Sequence, residues 1–315
     1  MKCFTTSASL IFSLVSFTFA ATYGQTDSHQ GTGFLKSFSH QAISDPTHGR
    51  INYVDQTTAL ANNLTYAESD TFIIRVDHST KLSASGPGRN SVRLQSNKQY
   101  LNHVAVFNIR HMPQGCGTWP AVWEVGPNWP NGGEVDILEG VNDVSPNQAT
   151  LHTSPGCTMP SSRTMAGTST GTNCDATVNN NAGCGVKAAP TNSYGPAFNS
   201  AGGGWYAMER TDTFIKVWFW SRSSGNVPSD VKNGETTIDT DNWGTPFAFF
   251  PDNNCDIASK FAWSNIIVNI DLCGDWAGSV FGSSGCSGSC TDLVNNNPSA
   301  FSNAYFDFQW LKIYG

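Results

Sequence analysis

Charge is scarce in this sequence. Asp, Glu, Lys and Arg make up only 13% of its 315 residues, about half of the ~25% usual in globular chains. Basic residues are scarcer still, and 17 Lys and Arg against 24 Asp and Glu leave a net charge of −7. Without a Lys/Arg stripe to neutralise phosphates, nucleic acid is excluded as a partner, and an anionic membrane surface on the same ground. Long apolar runs are also missing. The run Leu10–Phe17 is too short to span a bilayer, and no later segment qualifies. Cys-x-x-Cys pairs are absent, and Cys286-Ser-Gly-Ser-Cys290 has no nearby His, so it does not read as a zinc site. Neither a metal nor a cofactor is expected.

Gly, Asn, Ser and Thr fill the place of the missing charge, a composition that suits turn-rich β architecture and secretion. Met1-Lys2, the apolar run and the small residues Thr18, Ala20 and Ala21 have the form of a secretory leader. Residues 1–20 are therefore expected to be removed, leaving one domain over 21–315 in an extracellular protein. Cleavage would also remove Cys3, and the even count of eight remaining cysteines favours disulfides. Their connectivity is open. Cys174–Cys184 and a partner for one of Cys286 and Cys290 are the local closures the spacing allows. Asn63-Leu64-Thr65 is an N-glycosylation sequon, whereas Asn297-Pro298-Ser299 is blocked by its proline.

Short segments alternate apolar and polar residues at a period of two, which predicts strands. They include 71–76, 91–94, 103–109, 150–152, 214–220 and 306–313, rich in aromatic and β-branched residues. Gly, Asn, Pro and Ser cluster between them. Only 57–64 and 255–261 suggest helices, both short. Many strands, strong turn chemistry and no alternation with long helices predict an all-β sandwich of two antiparallel sheets.

One strand is exceptional. Gly133-Glu-Val-Asp-Ile-Leu-Glu-Gly140 places three carboxylates within six residues of a charge-poor chain. Side chains alternate along a strand, so Glu134 and Asp136 share a face while Glu139 would turn into the core. A buried, unpaired carboxylate is costly. A β-bulge at Ile137-Leu138 removes the conflict, keeping both apolar side chains inside and returning Glu139 to the face of Glu134 and Asp136. Two carboxyl groups held together in this way, one nucleophilic and one proton-donating, are what retaining glycoside hydrolysis needs. Asp136 between them would raise the pKa of the acid partner. Just upstream, Trp119, Trp123 and Trp129 offer flat faces for sugar rings. A solvated acidic strand and a calcium site are the bland alternatives. Calcium lacks the glycine-centred loop of an EF-hand.

Taken together, Trp119-Pro-Ala-Val-Trp123, Gly133–Asp143 with its ExDxxE core, and Leu151-His152-Thr153 resemble glycoside hydrolase family 16, in the laminarinase-like branch of secreted fungal endo-β-1,3(4)-glucanases. Pro46–Asp55, Gly88–Arg93 and Cys273-Gly-Asp-Trp276 extend the likeness over nearly all of the mature chain. The resemblance implies a jelly-roll sandwich with a concave substrate cleft. It also implies Glu134 as nucleophile, Glu139 as general acid/base, Asp136 assisting between them, and His152 facing the centre from the neighbouring strand. Trp119, Trp123 and Trp129 would contact sugar, the last two as the donor-side floor, with Trp276 on the other flank. For Arg93 the choice stays open between sugar hydroxyls and structural anchoring. The expected partner is a β-glucan met by a monomer. A wall-remodelling transglycosylase and a non-catalytic glucan-binding lectin are the rival readings.

Overall fold

The computed structural model describes residues 21–315, so the expected leader over 1–20 lies outside the described residues. The period-two segments are strands. Thr71–Arg75, His103–His111, Gln148–His152, Phe214–Ser221 and Tyr305–Tyr314 stand where alternation put them. The segment 91–94, read as one strand, is divided. Arg89–Ser91 pairs in parallel with Ile51–Tyr53, whereas Arg93–Ser96 joins a large sheet. That short ribbon is the single parallel pairing among the described strands. The helical expectations are met by Gln56–Ala61 and Ile257–Lys260. Further short helices at Gly33–Ser37, Gly195–Ser200, Ser229–Asn233 and Cys290–Asn296 were not anticipated, because one or two turns are too short to display a 3.6-residue period.

Two antiparallel sheets face one another as a jelly roll. The nine-stranded sheet runs Thr237–Asp239, Thr22–His29, Tyr305–Tyr314, His103–His111, Gly204–Arg210, Phe214–Ser221, Ala248–Pro251, with the hairpin Thr65–Glu68/Thr71–Arg75 attached to Tyr305–Tyr314. The eight-stranded sheet runs Thr168–Ser169, Cys184–Lys187, Gln148–His152, Glu134–Glu139, Thr118–Val125, Asn265–Leu272, Arg93–Ser96, Phe38–His40. Alternate residues of each, among them Phe107, Ile109, Met208 and Leu311 from the first and Val122, Val135, Leu151 and Val268 from the second, meet in one continuous apolar core. The nine-stranded sheet has a second apolar cluster on its outer face, where Val104, Val106, Trp205, Trp218, Trp220 and Trp310 pack under Val231, Ile238 and Trp243. Coverage of both faces explains why His103-Val-Ala-Val-Phe-Asn-Ile109 reads as a nearly unbroken apolar run.

All eight cysteines among the described residues are paired, as Cys116–Cys286, Cys157–Cys255, Cys174–Cys184 and Cys273–Cys290. Cys174–Cys184 is the local closure the spacing allowed. Cys290 finds a partner 17 residues away and Cys286 one 170 residues away, so the zinc alternative for that pair is closed.

Candidate active site

The carboxylate strand Glu134–Glu139 is bulged. Against Gln148–His152, Asp136 faces Thr150 and Glu139 faces Gln148, so Ile137 and Leu138 together oppose one residue. Against Thr118–Val125, Asp136 faces Trp123 and Leu138 faces Val122, with Ile137 left over. Val135, Ile137 and Leu138 all lie in the inter-sheet core, and Glu134, Asp136 and Glu139 share the opposite face. The same register places Trp119, Trp123, Arg93, Asn269, Asp271 and His152 on that face.

A bulge leaves backbone groups without ladder partners, and buried ones must be satisfied elsewhere. Asn147, fully buried, does this. Its Oδ1 accepts from the Glu139 N–H at 2.9 Å, and its Nδ2 donates to the Ile137 carbonyl at 3.0 Å. Asn147→Ala would orphan both groups at ~1–3 kcal/mol each. We expect a loss of roughly 2–6 kcal/mol in chemical denaturation, with activity falling further than stability explains because Glu139 loses its register.

Electrostatics bind the cluster together. His152 Nε2 lies 3.3 Å from Asp136 Oδ2 and 3.9 Å from Glu134 Oε1, while its Nδ1 lies 2.7 Å from Asn181 Oδ1. Burial opposes charge on His152, but the hydrogen bond and charge of Asp136, joined by Glu134 and Glu139, raise it to about 10. Glu139 is pushed well above the usual carboxylate range, by burial first and then by Asp136, against a Trp119 indole N–H that donates to its Oε1 at 2.9 Å. Glu134 is raised by burial and then by Asp136, with His152, Trp129 and Arg93 opposing. An arrangement that keeps one carboxyl protonated beside others around an imidazolium can supply acid, base and nucleophile at one place. Glu134, Asp136 and His152 also present atoms within 4.8 Å of one another.

The aromatic residues divide. Trp129 is 47% exposed on the loop that enters the carboxylate strand, as a stacking platform requires. Trp119 meets Trp276 edge-on at 5.7 Å, and its N–H is committed to Glu139. Trp123 donates to Asn269 Oδ1 at 2.8 Å, and the Asn269 side chain in turn donates to the Tyr53 hydroxyl at 3.1 Å. Arg93 stacks its guanidinium 4.9 Å from the Trp123 ring and donates to Gln41 at 2.8 Å. The nearly buried Arg93 side chain thus braces Trp123 while its charge also reaches Glu134.

Asn147, Asn181, Asn269, Tyr53 and Asp271 were missed. Single polar residues in loops or neighbouring strands carry no local signature, and the strand Asn265–Leu272 that bears Asn269 and Asp271 was itself not read from the sequence. Asp271 is pushed up to about 8, by burial first and then by Asp45, while accepting from the Thr47 hydroxyl at 2.7 Å and the Leu272 N–H. A folded pKa above the unfolded value stabilises below the unfolded value of about 4, and that contribution is lost as pH rises towards 8. Asp271→Asn, which mimics the protonated form, should flatten the decline in melting temperature between those limits. An unchanged slope would show that Asp271 ionises freely.

With this geometry in place, the comparisons are specific. The family profile for XgeA-like, catalytic GH16 domains matches residues 38–314. The chain belongs to glycoside hydrolase family 16. A probable glycosidase of Schizosaccharomyces pombe is 43% identical over 94% of this chain and 70% of its own length. A probable endo-1,3(4)-β-glucanase of Aspergillus clavatus is 42% identical, and the chain spans 46% of that protein's length. Among solved structures, family 16 laminarinase 16A from Phanerochaete chrysosporium, holding 6-O-glucosyl-laminaritriose in donor and acceptor sites, is 64% identical. The match covers 94% of this chain and all of that one, with a TM-score of 0.93. An elongating family 16 β-1,3-glucosyltransferase is 39% identical over 93% of this chain and all of that one, at 0.87. The family 16 catalytic domain thus accounts for both the two-sheet fold and the acidic strand.

Proposed function

We propose that this family 16 domain is a secreted, monomeric, retaining endo-β-glucanase that hydrolyses β-1,3- and mixed β-1,3/1,4-glucans. The observation that carries the reading is the bulge that turns Glu139 to the face of Glu134. Glu134 attacks the anomeric carbon while Glu139, held protonated by burial and by Asp136, donates to the leaving oxygen. Water then opens the glycosyl-enzyme, giving its proton to Glu139 and regenerating free Glu134. Asp136 keeps the proton on Glu139, and the His152 imidazolium offsets the negative charge around it. Exposed Trp129 supplies the donor-side floor, and Trp119 with Trp276 the opposite flank. The likeness to a laminarinase holding a laminaritriose-based glucan supports the substrate class. Four disulfides and the leader-like N-terminus support an oxidising, extracellular setting. Asn63 is exposed at a turn, as a glycosylated asparagine must be.

Proton NMR of laminarin hydrolysis tests the reading. The first new reducing ends should be β-anomers that mutarotate later, and initial α-anomers would rule out double displacement. Transglycosylation is the second reading, favoured by the likeness to an elongating glucosyltransferase. In that case a sugar hydroxyl captures the same intermediate, and products longer than the substrate would accumulate at high oligosaccharide concentration.

A further inference from the structure

The loop between Cys174 and Cys184 has no place in the mechanism above, yet it touches the centre at one point. Its end at Cys184 pairs with Leu151, and near its start the Thr153 N–H donates to the Cys174 carbonyl at 2.8 Å while the Ala176 N–H donates to the Thr153 carbonyl at 2.9 Å. The loop is therefore fastened on both sides of His152 and closed on itself by the disulfide. At its tip Asn179, Asn180 and Asn181 all have positive φ, between 51° and 58°. Asparagine tolerates that region better than other residues with a Cβ, but three in succession carry a conformational cost. Gly183, also at positive φ, lies so close to the strand that a Cβ there would stand 2.8 Å from His152 Cε1 and 2.7 Å from the Leu151 carbonyl. Backbone strain and close packing converge on one contact, Asn181 Oδ1 against His152 Nδ1 at 2.7 Å.

We propose that Asn181 is a positioning residue: it accepts the His152 Nδ1–H, fixes the ring with Nε2 aimed at Asp136 and Glu134, and is held there by the Cys174–Cys184 disulfide. The proposal rests on the hydrolytic reading of the carboxylate strand. An imidazole ring can rotate about its Cβ–Cγ bond, and a second-sphere acceptor on one nitrogen decides where the other points. Without Asn181 the ring is free to turn, and Asp136 loses the partner that balances its charge between the two glutamates. The charged groups facing the ring are Glu134 and Asp136, with Glu139 beyond them. Asp175, the one acid within the loop, spends its Oδ1 on the N–H and hydroxyl of Thr177.

The test uses three substitutions of Asn181 in the full protein. Asn181→Ala removes the acceptor. Asn181→Gly removes it while relieving the backbone cost, and Asn181→Asp restores an acceptor. Ala and Gly should each lower kcat on laminarin by about tenfold with KM within about twofold, and Asp should recover most of the loss. In both deletions the ring nitrogens of His152, followed by 15N NMR, should shift and lose the second proton at lower pH. A Cys174→Ala/Cys184→Ala double variant should lower kcat in the native background and add little to Asn181→Gly. Wild-type kcat in Asn181→Gly, or recovery by Gly where Ala fails, would overturn the proposal, as would an unmoved ring signal. The NMR readout does not depend on turnover, so failure of the hydrolytic reading would be recognised separately.

Discussion

Glu134→Gln is expected to abolish turnover of laminarin by a factor of about 10⁴ or more while leaving the fold intact. Glutamine is isosteric but does not form a stable glycosyl ester, so the covalent route is lost as a unit and no partial contribution survives. Stability should move the opposite way. The folded Glu134 carboxyl has a raised pKa, chiefly from burial. Its stabilising contribution is full below the unfolded value near 4.5 and is lost as pH rises through the folded value. An amide does not titrate, so the variant should melt at a higher temperature than the native protein at neutral pH. Loss of activity with a gain in melting temperature separates a removed nucleophile from a damaged fold, since damage lowers both. Near-native hydrolysis by Glu134→Gln would end the assignment.

Glu139→Gln should have nearly as large an effect, but one that depends on the substrate. On laminarin or lichenan the leaving group is a sugar alkoxide that needs a proton, and loss of general acid catalysis costs about 10²–10⁴ in rate. On an aryl β-glucoside oligomer with a phenolate leaving group the first step needs little help. Hydrolysis of the glycosyl-enzyme becomes limiting, and a burst of phenol should precede slow turnover. The pH profile supplies an independent check. Burial and Asp136 raise Glu139 far above an ordinary carboxyl, and its protonated form is the competent one in the free enzyme. Activity should therefore fall as pH rises through the pKa of Glu139, and in Glu139→Gln that alkaline limb should be missing. Persistence of the limb would assign it to another group, with His152 and Asp271 the first to examine.

Much of this architecture was legible before any coordinates. The strands 214–220 and 306–313 announced themselves by alternation, because half-buried sheets impose a period of two. The bulge was legible for a sharper reason: only an extra residue keeps Ile137 and Leu138 inside while turning Glu139 out, and the register shows that arrangement. What the sequence concealed was everything held by long-range contact. Asn147 caps the bulge from a neighbouring segment, and Asn181 reaches His152 from 29 residues away. Neither has a local pattern, since any loop asparagine looks the same until the chain brings it to a partner. The second apolar cluster was hidden for another reason. Tryptophans 205, 218, 220 and 310 lie on the outer face of the nine-stranded sheet, where alternation alone predicts solvent, and a helix and turns from 229–243 cover them. Arg93 shows the opposite limit: its strand position was evident, but its stacking against Trp123 was not.

The division of labour between the two glutamates is tested most directly by azide rescue. Glu134→Gly and Glu139→Gly would each be incubated with an aryl β-linked laminarioligosaccharide and sodium azide, and the anomeric configuration of the glycosyl azide determined by NMR. Azide entering the vacancy left by Glu134 attacks the face opposite the leaving group, so that variant should give the α-azide. With Glu139 removed the glycosyl-enzyme still forms on Glu134, and its capture by azide should give the β-azide. Two products of opposite configuration, assigned in that order, are what a bulge-aligned nucleophile and acid/base predict. A β-azide from Glu134→Gly would contradict the account.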